Sequence, residues 1–228
     1  MYFVLATSSR PRRRLKTRPS LGALSWWSAA PITAPLPRPL PFVLQPYLPF
    51  DSDQAPHLGA VLETNPPVWR DDLIEALRAA GAGDFEVFDA EVTSPANTSA
   101  LTDFYQALRD GGVEDVDAYL TDVLQVDPTT WADPEPRVFT HYKAVNVLRM
   151  VSAADLARSQ ATVHGGAPHV DVDFDRLVVD ARRADGHKLF RLAESVNAVL
   201  ISADVRDALL KAGFGEELDL APADSVAV

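Results

Sequence analysis

The 228-residue sequence contains no cysteine, and its first fifty residues contain no Asp or Glu. The missing cysteines exclude disulfides and thiolate metal sites, and they fit a reducing compartment. No apolar run approaches the roughly 18–20 residues needed to span a bilayer, so we expect no membrane partner. The sequence also lacks a phosphate loop, a dinucleotide fingerprint and a nucleophile elbow, so it predicts no cofactor and few catalytic groups.

Charge is divided unevenly along the chain. Residues 1–50 hold seven of the 21 basic residues, so residues 51–228 hold the other 14 (21 minus 7) with all 32 acidic residues, a net charge of −18. Because phosphate contacts need Lys and Arg, this acidity argues against nucleic acid as a partner. It favours a protein with a basic surface, although many bacterial cytosolic proteins are acidic simply to stay soluble.

The first fifty residues are basic and rich in proline. They contain nine of the 18 prolines, which predicts an extended or disordered extension ahead of a single folded domain over residues 51–228. The cationic start and the apolar stretch Leu21–Ala30 also resemble an export signal, but Gly22 and Pro31 disfavour one. An over-long gene start in GC-rich DNA is a third interpretation.

Hydrophobic periodicity predicts a helix followed by a strand early in the acidic body. The helix is expected over residues 65–81, with Trp69 opening its apolar face and Gly81 ending it. Residues 84–93 ("DFEVFDAEVT") then alternate with the period of a strand. A similar pattern returns at residues 107–123, where we predict a second helix–strand step. Two copies are too few for a repeat fold.

The second half predicts several strands and one more helix. Residues 137–151 are rich in β-branched and aromatic residues, as in a central strand. We expect Ser152 to cap a short helical turn, and Ser202 to cap a helix that buries Leu210 and ends before Gly213. Further strands are predicted over residues 170–180, 188–192, 197–202 and 217–222. The fold class is therefore α+β, with a mixed, mostly antiparallel sheet and a few packed helices.

Four aspartates mark the predicted strand over residues 170–180, namely Asp171, Asp173, Asp175 and Asp180. On a strand, the first three point to one side, about 6.5–7 Å apart, while Val170, Val172 and Phe174 point to the other. They would chelate Mg²⁺ or Ca²⁺ only with ligands from another element, and the run lacks the Gly and terminal Glu of a calcium loop. We therefore predict a solvated acidic face that binds a partner, with no catalytic or metal residue.

Two histidines near these aspartates leave a metal-binding alternative open. His164 and His169 flank a Gly-Gly-Ala-Pro segment, with Asp171 close by. Their spacing matches no compact zinc pattern. The alternative to a binding protein is accordingly a metal-dependent hydrolase that uses Asp171 and Asp173, with His169.

Several segments, taken in order, resemble one known family. They are the strand Tyr142–Val147 ("YKAVNV"), an Ala-Asp-Leu turn with Ser159, the segment Asp175–Asp180, the strand Leu189–Leu192 and the helix "SADVRDALLKAGF". The set resembles the immunity-protein family of bacterial polymorphic-toxin systems that was first named from a myxobacterial member and was formerly a domain of unknown function. The resemblance covers residues 65–220, and residues 1–50 and 96–137 depart from it.

The resemblance implies a cytoplasmic immunity protein that binds a cognate toxin and neutralises it by stoichiometric occlusion, without catalysis. If the toxin acts on nucleic acid, we expect its cleft to be basic and the acidic face to occupy it as a phosphate mimic. Exposed carboxylates would speed the encounter and set specificity, while tight affinity would need buried aromatic or Arg anchors.

Overall fold

The computed structural model describes residues 1–7, 15–17, 26, 28–45, 58–62, 64, 66–125, 135–164 and 171–225. Its helices are α1 (Asp71–Ala79), α2 (Thr98–Asp110), α3 (Val116–Ala118), which continues as a π-helical turn over Tyr119–Val123, and α4 (Ala203–Lys211). Its strands are β1 (Tyr2–Val4), β2 (Ala6–Thr7), β3 (Leu15–Thr17), β4 (Leu40–Leu44), β5 (Val61–Leu62), β6 (Val68–Arg70), β7 (Phe85–Ser94), β8 (Arg137–Val147), β9 (Met150–Val151), β10 (Gln160–His164), β11 (Asp171–Arg176), β12 (Leu189–Leu192), β13 (Val199–Ser202) and β14 (Leu218–Asp219). The fold class is α+β, as predicted.

Two sheets contain most of the strands. The larger has six strands in the order β3-β4-β7-β8-β6-β5, and the smaller has four in the order β1-β13-β12-β9. Among the described strands, β4 pairs with β7 and β12 with β9 in parallel, and the other pairs are antiparallel. The predicted central strand over residues 137–151 is confirmed as far as Val147, because β8 lies between β7 and β6 and pairs with β7 from Val147 to Arg137. Its predicted end is wrong, since Met150–Val151 form β9 in the smaller sheet.

One hydrophobic core joins both sheets to α1 and α4. It includes Leu73 of α1, Phe85 of β7, Ile201 of β13 and Leu209 of α4. Acidic residues in the first turn of α1 and a basic residue in its last turn complement the helix dipole. The helix ends as predicted, since Gly81 follows it with φ of +78° in the left-handed region.

The start of α1 corrects the predicted helix over residues 65–81. Trp69 lies in β6, where it pairs with Val61 of β5 and Lys143 of β8. Tertiary pairing therefore overrides the helical spacing, which placed Trp69 on the same apolar face as Leu73. Both side chains nonetheless share one core.

The predicted second helix–strand step is also wrong after its helix. Residues that were expected to form a strand are helical, because the carboxylate of Asp115 accepts the backbone N–H of Ala118 at 3.0 Å and starts α3. Val116 and Leu120 are buried against partly buried side chains that include Phe104 of α2. Residues 98–123 thus have a small core of their own.

Three predictions about side chains near helix ends need correction. Ser152 caps no helix, because only a turn over residues 156–158 follows it and its hydroxyl instead donates to Glu194 Oε1 at 2.5 Å. Leu210 of α4 is 46% exposed, although it was expected to be buried. Ser202 occupies the N-cap position of α4, but its hydroxyl makes no capping hydrogen bond and donates instead to the Asp204 carboxylate. Gly213 follows the helix with φ of +93°.

Three strands from the first fifty residues, β1, β2 and β4, pair with strands of the acidic body. β1 pairs with β13, and β4 pairs with β7. Phe3 is buried in the core that joins the sheets, and Trp26 and Phe42 are buried with Tyr142 on the other face of β8. The predicted boundary at residue 50 stays a prediction, but these strands belong to the same sheets as the body. None of the helices in the described part of the chain has the length and apolar character needed to cross a bilayer.

Candidate functional site

The predicted acidic strand is one half of a hairpin. β11 pairs antiparallel with β10, so that Thr162 lies opposite Asp173 and Val163 lies opposite Val172. A bulge interrupts the register between Gln160 and Ala161. β11 ends at Arg176, which is earlier than the predicted end at residue 180.

Side chains alternate along β11 as the sequence predicts. Val172 and Phe174 are buried, and they pack in a second core with Phe190 of β12 and other apolar side chains of the smaller sheet. Asp173 and Asp175 are exposed on the opposite face. Val170, His169 and the side chain of Asp171 lie outside the described residues. The hairpin is therefore anchored by the apolar face of β11 and presents carboxylates to solvent.

The four predicted aspartates do not form one group. The carboxylate of Asp173 lies 2.9 Å from Nε2 of His164, across the hairpin, and its side chain is 76% exposed. Asp175 is exposed, and its carboxylate has no hydrogen bond or ion pair within the described ranges. Asp180 is separate, because its carboxylate accepts the backbone N–H of Arg182 at 2.9 Å and fixes a turn. Asp180 also lies 3.4 Å from Nε of Arg183, so its charge is partly balanced.

The metal-binding alternative finds no assembled ligand set in the part of the chain that the structure covers. No three His, Asp or Glu side chains come together there in a way that could hold an ion. His164 and Asp173 are in contact, which supplies two potential ligands. His169 and the Asp171 carboxylate, which the alternative also needs, lie outside the described part of the structure. The metal-dependent hydrolase therefore stays a prediction.

Sequence reasoning missed the outer strand of the hairpin. No strand was predicted over Gln160–His164, yet these residues form β10, which is exposed throughout and pairs with β11 and with no other described strand. Val163 is 57% exposed, and Leu156, in the turn before β10, is 49% exposed. The β-branched pair Thr162 and Val163 is the local signal that favours a strand here.

A buried cation lies in the strand next to this region. Arg191 of β12 is 2% exposed, and its Nη1 donates to the carbonyl oxygen of Val196. Its Nε and Nη2 have no hydrogen-bond partner among the residues that the structure describes. Burial lowers the pKa of this guanidinium to about 10. The adjacent loop residue Glu194 is also buried, and its backbone oxygen accepts the N–H of Val172 at 3.0 Å, which fastens β11 to the body.

Comparison with known proteins adds no relative to this picture. No protein-family model matches the chain, and no curated protein matches its sequence. The resemblance to immunity proteins therefore stays a prediction that rests on segments of the sequence. The hairpin is the structural feature that bears on function.

Proposed function

We propose that the protein is a cytoplasmic immunity protein that binds a basic bacterial toxin and neutralises it by stoichiometric occlusion, without catalysis. The observation that supports this proposal best is the hairpin, which holds Asp173 and Asp175 in solvent on a strand whose other face is buried. Carboxylates held on a packed scaffold can meet a cationic surface without reorganising the fold. The net charge of −18 over residues 51–228 would steer such a partner toward the protein.

The surface carboxylates are expected to govern how fast and how selectively the partner binds. Exposed charges contribute mainly to encounter rates, since solvent and salt screen them within about 8 Å at physiological ionic strength. Tight affinity needs buried anchors in addition. The candidates for those anchors are two apolar side chains that are exposed in the free protein and that a partner would bury, Val163 in β10 and Leu156 in the turn before it.

Co-expression with the product of the neighbouring gene tests the proposal. We expect the protein to rescue growth of cells that make the toxin, to form a complex of fixed stoichiometry with it, and to associate more slowly as salt rises. Rescue without a detectable complex would contradict the proposal, because occlusion requires one.

The hydrolase alternative is separated by metal binding and turnover. His164 and Asp173 at 2.9 Å are the observation in its favour. Calorimetric titration of the full chain with Mg²⁺, Mn²⁺ and Zn²⁺ should show no binding at millimolar metal if the protein acts only by occlusion. Binding that is lost in Asp173→Asn, together with turnover of a small-molecule substrate, would favour the hydrolase.

A further inference from the structure

In the part of the chain that the structure describes, a hydrogen bond from the inner strand of the hairpin holds it to the body. The backbone N–H of Val172 donates to the carbonyl oxygen of Glu194, on the side of β11 that faces away from β10. In an antiparallel pair, residues directly opposite each other alternate between pairs that exchange hydrogen bonds and pairs that do not. Val172 and Val163 therefore form a pair that exchanges none. The N–H and C=O groups of Val163 point to the open side of β10.

This open side has few of the features that protect sheet edges. No described strand pairs with it. Between Ala161 and His164 it has no proline, no lysine and no bulge, and the only irregularity of the hairpin lies just before Ala161. Natural proteins normally blunt an exposed edge with such features, because unpaired backbone groups accept a strand from another chain.

The two faces of the hairpin specify the kind of strand that fits. On one face, Thr162 lies between the open edge and Asp173. An added strand would lie about 5 Å from β10 and about 10 Å from β11, so a Lys or Arg beside the short Thr162 can reach over it toward Asp173. On the other face, the exposed side chain of Val163 offers an apolar neighbour. The matching strand therefore alternates basic and apolar residues.

From these features we infer that β10 accepts a strand from a basic partner protein, in which cationic residues alternate with apolar ones. The added strand completes a three-stranded sheet with β10 and β11. This inference rests on the proposed function for the basic character of the partner, and it names how that partner docks. A second copy of this chain fits less well, because β10 contains no Lys or Arg to place beside Asp173.

A peptide titration tests this docking mode without knowledge of the toxin. The full-length, ¹⁵N-labelled protein is titrated with the peptide Lys-Val-Lys-Val-Lys-Val and, separately, with Glu-Val-Glu-Val-Glu-Val. We expect the basic peptide to shift the amide signals of Ala161–His164 and to slow hydrogen exchange of the Val163 amide by about tenfold or more. The acidic peptide should do neither, and added salt should weaken the effect.

A matched pair of variants assigns the effect to the backbone edge. Val163→Pro removes the outward N–H without removing a hydrogen bond of the hairpin, so peptide binding should be lost. Val163→Thr keeps the N–H and the β-branched shape, so binding should persist. If the proline variant fails to fold, hydrogen exchange of the Val163 amide in the unmodified protein still shows whether the peptide binds at this edge.

Three outcomes would overturn the inference, and none of them depends on the toxin experiment. They are an unprotected Val163 amide at millimolar basic peptide, equal effects of the two peptides, and dimerisation through β10 that Val163→Pro abolishes. Failure of growth rescue with intact peptide docking would instead count against the proposed function alone.

Discussion

Replacing Arg191 with Met should stabilise the protein. The guanidinium is buried, two of its nitrogens have no hydrogen-bond partner among the described residues, and burial lowers its pKa from the ordinary value to about 10. Each pKa unit corresponds to about 1.4 kcal/mol, so keeping this charge in the folded state costs about 3 kcal/mol at neutral pH. Met has a similar length and no charge to bury.

The expected gain is smaller than that cost. The substitution also removes the hydrogen bond to Val196, and a bond from a charged donor contributes about 1.5–3 kcal/mol. Val196 is only partly buried, so water can replace the donor in part. We therefore expect the free energy of unfolding to rise by about 1–2 kcal/mol, within the range seen when buried ionic groups are replaced by apolar ones.

Urea unfolding of the wild-type protein, Arg191→Met and Arg191→Lys measures this difference. The lysine variant keeps a buried cation, so it should be no more stable than the wild-type protein. The sign of the pH effect follows from the lowered pKa, since the unfolded chain holds this proton more tightly. The free-energy cost of the buried charge is thus present below about pH 10 and declines as pH rises further. A methionine variant that is less stable than the wild-type protein by about 1 kcal/mol or more would contradict this prediction, because it would mean that the Arg191 charge has an anionic partner in solution.

Three further predictions concern the hairpin, the N-terminal strands and an ion pair. Asp173→Asn with Asp175→Asn should slow association with the toxin about three- to tenfold at low salt, by stopped-flow fluorescence, whereas the exposed acids at 103 and 114, changed to amides as a matched control, should not. Phe42→Ala should lower the free energy of unfolding by about 3–5 kcal/mol in urea, since Phe42 is fully buried; a loss below about 1 kcal/mol would mean that β4 is not part of the stable fold. Burial pushes the pKa of Asp72 up, but the hydrogen bonds and charge of Arg70 outweigh it and hold that pKa below its usual value. The ion pair with Arg70 therefore stabilises the fold above about pH 4, and this stabilisation is lost as pH falls through the lowered pKa of Asp72. Because Asp72 is half exposed, Asp72→Asn should remove under about 1 kcal/mol of the acid-dependent change in unfolding free energy.

Long patterns with one dominant cause were predictable from the sequence. The alternation in residues 84–93 and the β-branched run from Arg137 form β7 and β8, because both strands contribute side chains to the cores on the two faces of the larger sheet. Gly81 and Gly213 end α1 and α4 because their left-handed conformation suits glycine. In each case the local preference and the tertiary environment agree.

Short segments were mispredicted where a contact from elsewhere decides the outcome. Trp69 joins a strand because two other strands pair with its backbone, which its spacing from Leu73 does not reveal. One carboxylate, that of Asp115, turns an alternating segment into α3. Asp180 was grouped with three other aspartates by spacing, yet it fixes a turn beyond the strand.

The candidate site was predicted in its chemistry but not in its geometry. The exposure of Asp173 and Asp175 follows from period-two alternation. The open edge at Val163 was not predictable, because it depends on which side of β11 bonds to Glu194. That is a property of the assembled sheet, and nothing in the sequence near residue 163 specifies it.

The pairing of β1 with β13 has a consequence for the order in which the chain folds. Tyr2 lies opposite Ser202, so the smaller sheet gains its β1 edge only after Ser202 has also left the ribosome. Contacts between such distant residues slow folding, because a very long loop must close before they form. During synthesis the apolar side chain of Phe3 therefore stays exposed until its native neighbours are made. We expect chaperones that recognise exposed apolar segments to bind β1 during this time.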